Sequence, residues 1–185
     1  MQRFKLYLLL FATMVTLSPL AAQADLGFKG VGAKVGFVSV QNDIGSSLGF
    51  GVMADWGTIL PRLNLFSSLD YWSHSESAGN NAEGSWRDIT VAATAHYYFP
   101  LSSSKVMPYA AGGLAIHFYK ASVDIPNQAG FNFGSASAST TAFGIDLGGG
   151  VQMNLSPTLD LVADGRFRVG EANFLAITAG ALYRF

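Results

Sequence analysis

Ten charged residues stand where charge needs explaining: Lys34, Asp55, Asp70, Asp88, Asp146, Asp160, Asp164, Arg166, Arg168 and Arg184. Each lies in a stretch where nearly every second residue is apolar, and each occupies the polar half of that alternation. A buried charge is tolerated only when it is paired, and this set carries both signs in near balance. The expected chemistry is a closed network of ion pairs. A gated ion path is the alternative use of the same residues. His74, His96 and His117 share the polar parity. A metal site needs its ligands together in coordinating geometry. His74 and His96 fall at opposite ends of neighbouring segments, so no metal is expected. The run Trp72-Ser73-His74-Ser75-Glu76 holds a hydroxyl, an imidazole and a carboxylate. A nucleophile needs its base within hydrogen-bond reach. Adjacent residues of a strand point to opposite faces, which separates His74 from both serines. The expectation is no catalytic residue and no enzyme, with a lipid-modifying hydrolase or acyltransferase as the alternative.

The elements that position these residues are strands, because the alternation has period two. Eight such segments can be read. The first runs from about Gly27 to Val40, with Val31, Ala33, Val35 and Phe37 opposing Gly30, Gly32, Lys34 and Gly36. The second sets Leu48, Phe50, Val52, Ala54 and Trp56 against Gly49, Gly51, Met53 and Asp55. The third and fourth span about Leu63–Ser75 and Asp88–Phe99. The fifth, sixth and seventh span about Tyr109–Tyr119, Phe143–Met153 and Leu159–Arg168. The last, Leu175–Phe185, puts Leu175, Ile177, Ala179, Ala181, Tyr183 and Phe185 on one face, with Leu182 the apolar exception on the other. The charges consistently oppose the large aliphatics. A one-residue slip would turn every side chain to the wrong face, so register is well specified.

The connections alternate in length. Gly57–Arg62, Pro100–Pro108 and Asn154–Pro157 read as short or proline-marked turns. Gln41–Ser47, Ser75–Gly84, Ala121–Thr141 and Gly170–Asn173 read as the opposite set. The longest of them, with Phe131 and Phe133 in a Gly-Ser-Ala-Asn setting, is either a mobile outer loop or an extended hairpin above a membrane. Trp56, Tyr71, Tyr97, Phe99, Tyr183 and Phe185 lie toward strand ends, where aromatic girdles belong. The glycine clusters Gly30-Val31-Gly32 and Gly148-Gly149-Gly150 are followed by no helix, so they do not cradle a phosphate. No cofactor is expected.

The N-terminus marks the compartment. Arg3 and Lys5 precede the apolar run Leu6–Val15, and Ala22-Gln23-Ala24 offers a small-residue cleavage site. This is the pattern of a secretory signal peptide. The expected division is residues 1–24 as leader and 25–185 as one domain. The apolar run is shorter than the ~20 residues that cross hydrocarbon as a helix. Of 11 basic and 12 acidic residues, only Arg3 and Lys5 lie in the leader, so the remainder is mildly acidic. That excludes the basic face a nucleic-acid binder needs. The absence of cysteine removes disulfides and thiolate sites. Only 12% of residues are charged while 50% are hydrophobic, yet no long apolar run follows the leader. Interleaved hydrophobicity of this kind is what a barrel in lipid produces, since lipid-facing and lumen-facing residues alternate. A soluble lipocalin-like barrel would reverse the two faces.

The leader, the eight alternating segments, Gly144-Ile145-Asp146-Leu147-Gly148-Gly149-Gly150-Val151 and the final Tyr183-Arg184-Phe185 together resemble the small outer-membrane barrels typified by the OmpA transmembrane domain and OmpX. The resemblance implies an all-β fold: an eight-stranded antiparallel up-and-down transmembrane β-barrel, preceded by a cleaved signal peptide. It implies a monomer in the outer membrane of a Gram-negative bacterium, exported through the Sec pathway, with both chain ends in the periplasm and no appended peptidoglycan-binding domain. Tyr183 and Phe185 resemble the signal read by the outer-membrane assembly machinery. The implied partners are outer-membrane lipid, lipopolysaccharide and a host or cell-surface ligand at the outer loops. The implied role is envelope integrity or adhesion.

Overall fold

A computed structural model describes residues 24–40, 45–77, 83–101, 105–124, 135–170 and 173–185. Eight strands follow one another: β1 (Asp25–Val40), β2 (Gly45–Leu60), β3 (Leu63–Ser77), β4 (Glu83–Tyr98), β5 (Val106–Asp124), β6 (Ser135–Ser156), β7 (Leu159–Gly170) and β8 (Phe174–Arg184). Each pairs antiparallel with its neighbours in sequence, and β1 pairs with β8 to close the barrel. Closure removes the free sheet edges, so every strand has partners on both sides.

The alternation in sequence becomes inside and outside. Along β7 residues from Asp160 to Arg168 alternate between buried and outward-facing. Phe143, Leu114 and Phe37 are 73%, 68% and 64% exposed on the outer wall, whereas Asp55, Asp88 and Asp160 are fully buried inside. A soluble monomer rarely exposes a continuous apolar belt of this size. The lipocalin arrangement is thereby reversed.

The strands run further than their alternation suggested. The turn read as Gly57–Arg62 shrinks to Pro61 and Arg62, because β2 continues to Leu60 and β3 begins at Leu63. Arg62 takes the left-handed conformation that so tight a reversal needs, with φ 69°. Pro108 belongs to β5 and not to a turn, and its carbonyl accepts the Phe99 N–H at 2.9 Å. Asn154, Leu155 and Ser156 complete β6, leaving Pro157 and Thr158 to turn. At the other end, Ala121–Asp124 and Ser135–Thr141 continue the β5–β6 ladder, up to Asp124 opposite Ser135, which is the extended hairpin of the two expected forms. Serine and alanine alternate along Ser135–Ser139, but both are small and residues 136–141 are all exposed, so the alternation marks no lipid face. Phe131 and Phe133 lie outside the described residues, as do residues 1–23 of the expected leader.

One irregularity breaks the parity of β1. Leu26 and Phe28 face outward, and so does Val31. The β1–β2 register shifts between Leu26 and Gly30, where four residues of β1 pass two of β2 and the parity is free to change. A bulge absorbs the extra residues without inverting the rest of the strand. It brings Phe28 to Trp56 (5.6 Å between rings) and to Phe185 (5.2 Å). Tyr183 and Phe185 touch at 5.6 Å, and Tyr97 and Phe99 at 5.4 Å. All these aromatics lie at the end with the short turns. Tyr71 does not join them; it meets Phe50 at 5.3 Å on the wall.

Candidate functional site in the lumen

The interior holds all ten charged residues in three linked groups. In the first, Asp146 and Arg168 face each other across β6 and β7 and form an ion pair through two guanidinium nitrogens. Arg168 Nη1 also donates to Thr90 Oγ1 at 3.1 Å, and its guanidinium lies 4.5 Å from the Phe174 ring centre. Thr90 donates in turn to Asp88 Oδ2 at 2.8 Å. The same oxygen accepts from Trp72 Nε1 at 3.1 Å and lies 2.9 Å from His117 Nδ1. In the second group, Lys34 Nζ pairs with Asp70 at 2.9 Å, and Arg166 Nη2 with Asp164 at 3.2 Å. Tyr109 and Thr178 both donate to Asp164. In the third, Arg184 pairs with Asp160 and stands 3.7 Å from Asp55. Gln152 and Asn154 donate to Asp160, while Tyr98 donates to Gln152 at 2.6 Å.

Glycine makes several of these contacts possible. Lys34 and Asp70 lie on β1 and β3, with Gly51 of β2 between them in register. A Cβ at Gly51 would strike the Asp70 carboxylate. Tyr109 and Asp164 reach each other across Gly150 in the same way, and a Cβ there would stand 2.8 Å from the Tyr109 hydroxyl. Gly30 lies between Arg184 and Asp55. Long inward side chains of alternate strands meet because the strand between them presents none.

Two apolar clusters flank the charges. Met53, Phe66, Tyr109, Ala111, Val162 and Leu182 form one, and Val38, Trp72 and Phe174 the other. Leu182, the exception in the last segment, is thus a core residue with no exposed surface. His96 is stacked between Phe66 and Tyr109, at 4.2 and 4.5 Å. A cavity of about 40 Å³ remains beside Lys34, Asp70, Arg166 and Arg168. It has room for about three waters. Arg166 Nε and Nη1 have no protein partner.

The sequence did not single out His117, Thr90 or Trp72 as partners of Asp88, nor Tyr109, Gln152 or Thr178. Their parity put them inside, but parity alone does not say which inward groups meet. Ser73 and Ser75 face outward, and His74 is half-buried near Trp86, with 6.2 Å between rings. Nucleophile and base therefore point to opposite sides of β3. Among the described residues, no group of three or more His, Cys, Asp or Glu stands where it could hold a metal ion.

A closed eight-stranded barrel with an apolar exterior and an ionic interior defines the class: a β-barrel whose solvent is a bilayer. Residues 7–185 match the profile of the outer membrane protein beta-barrel domain, and the chain belongs to that family. Its place is the bacterial outer membrane. Among curated proteins no sequence relative matches. Among solved structures, Neisserial surface protein A aligns with a TM-score of 0.63 at 19% identity, over 85% of this chain and 97% of that one. Ail of Yersinia pestis, solved with the heparin analogue sucrose octasulfate, aligns at 0.58 and 17%, over 86% and 100%. The N-terminal barrel of Pseudomonas aeruginosa OprF aligns at 0.55 and 14%, over 86% and 99%. At these identities the likeness is one of fold.

Proposed function

We propose that this protein is a monomeric, non-catalytic barrel whose lumen is a structural plug and whose outer end makes contact with another surface, in adhesion or in support of the envelope. The observation that carries this reading is the β5–β6 hairpin. Beyond the outward-facing Phe118 and Phe143, its paired strands run on to Asp124 and Ser135, with serine, alanine and threonine along the β6 side. Six residues of strand beyond Phe118 amount to about 20 Å of chain. Longer connections face the exterior in barrels of this kind, so the hairpin projects from the cell. A ligand of the type seen with Ail, a sulfated saccharide, is one candidate class.

Residues 1–24 act as a Sec leader on this reading, and Tyr183 and Phe185 as the signal to the assembly machinery. The lumen network replaces an ion path, because its cations are engaged by carboxylates and two buried apolar clusters pack beside them.

The experiment replaces Ser122–Ser137 with an Asn-Gly turn, which suits a two-residue hairpin and keeps the membrane-spanning register. Bacteria displaying the trimmed barrel should lose adhesion to cell surfaces and immobilised sulfated polysaccharide. Equal adhesion of both forms, at equal surface levels, sinks the proposal.

A further inference from the structure

We propose that the outer wall of β4, β5 and β6 holds one phosphorylated glycolipid of the outer leaflet, its phosphate between Arg87 and Lys120 and an acyl chain in the groove below. The inference adds a lipid of the same membrane to the partners of the outer end and rests on the hairpin end facing outward. Arg87 and Lys120 are direct partners in the β4–β5 register, and both are exposed. They share the outward parity of Ile89 and Phe118, so two cations stand side by side on the wall. Like charges directly opposite each other in a sheet repel. Among the described residues neither cation has an ion pair. A phosphate between them would turn that repulsion into attraction, and the arginine fork suits phosphate oxygens.

Their height fits a headgroup. Arg87 is ten residues from Tyr97 of the opposite girdle, about 33 Å along the strand and about 25 Å along the membrane normal at the usual tilt. That is the full height of the apolar band. Every other cation of the described residues is elsewhere: Lys34, Arg166, Arg168 and Arg184 in the lumen, Lys29, Arg62 and Lys105 at the short-turn end.

Two further features point to a glycolipid. Hydroxyls surround the pair: Ser73 and Ser139 flank it in register, and Ser85 and Ser122, hydrogen-bonded at 2.8 Å, stand one outward position above. Such groups can bond to sugar hydroxyls. Below, past Ile89 and Phe118, an outer-wall groove of about 580 Å³ is lined by Val91, Ala93, Leu114, Ile116, Phe143 and Ile145. Ala93 contributes only a methyl to that lining, while Leu114 opposite it and Phe143 stand well out from the wall.

The test is native mass spectrometry of the refolded full barrel, offered a bisphosphorylated glycolipid, its dephosphorylated form, phosphatidylglycerol or inorganic phosphate. The expected result is one retained copy of the phosphorylated glycolipid. Retention should be at least tenfold weaker for the dephosphorylated form, for phosphatidylglycerol, and for the R87Q/K120Q variant. Ala93→Phe, which fills the groove, should weaken it independently of the cations. Undiminished retention by R87Q/K120Q overturns the proposal. Equal retention of phosphatidylglycerol, or displacement of the lipid by equimolar inorganic phosphate, overturns it as well. A boiled-versus-unboiled gel shift separates two failures. A folded barrel without bound glycolipid rejects this site alone, whereas a preparation that never shifts also rejects the barrel beneath it.

Discussion

At the residue scale, the lumen replaces hydration with partners chosen by register. Asp146 is 1% exposed and Arg168 4% exposed, and each satisfies the other. Removing one partner of a buried pair strands a charge and costs about 3–5 kcal/mol. Arg168→Ala is therefore expected to lower folding stability by about that amount, read as the urea midpoint of unfolding in lipid vesicles. Removing Asp146 as well, in D146A/R168A, should recover part of the loss, since no lone carboxylate then remains. A double variant that adds the two single losses in full would show that the groups act independently. Much of this was legible in the chain, because parity alone places Asp146 and Arg168 on the inner face. That the two meet, while Asp88 takes Trp72, Thr90 and His117, was not legible. Partnership depends on the stagger between neighbouring strands and on how far each side chain reaches, which parity does not encode.

At the element scale, each strand has to present a lipid face, a lumen face and an end that can be joined. β8 does this in the fewest residues, and its aromatic end is tied down twice. The Phe185 N–H donates to the Lys29 carbonyl at 3.1 Å, and its ring rests on Phe28 and Tyr183. The bulge in β1 sets Phe28 in place for that contact. Phe185→Ala should therefore reduce the folded fraction recovered in the outer membrane several-fold. The same change should have a smaller effect on refolding from urea into detergent, where no machinery reads the strand. Equal losses in both settings would assign Phe185 to packing alone. The hairpin of β5 and β6 shows the limit of pattern reading at this scale. Strands betray themselves by alternation only while one face meets lipid and the other the core. Past the belt, Ser135–Thr141 meets neither, so serine and alanine alternate without a large apolar face to mark the strand.

For the whole molecule, closure decides both stability and transport. Eight strands enclose an interior that side chains can just fill, and here ion pairs and two apolar clusters fill it. The refolded protein should migrate differently before and after boiling and give no discrete conductance in planar bilayers. Steady unitary currents would contradict a plugged lumen. The sequence by itself determined the architecture: strand count, which face of each strand meets lipid, and which face carries charge. Those follow from period-two patterning and from the cost of a charge in lipid, both of which act locally along the chain. Only the tertiary structure decided which charges pair, which glycines they reach across, and that Arg87 and Lys120 stand together above a groove. These depend on the closing of β1 onto β8 and on the stagger of neighbouring strands, which bring together residues that no local spacing connects.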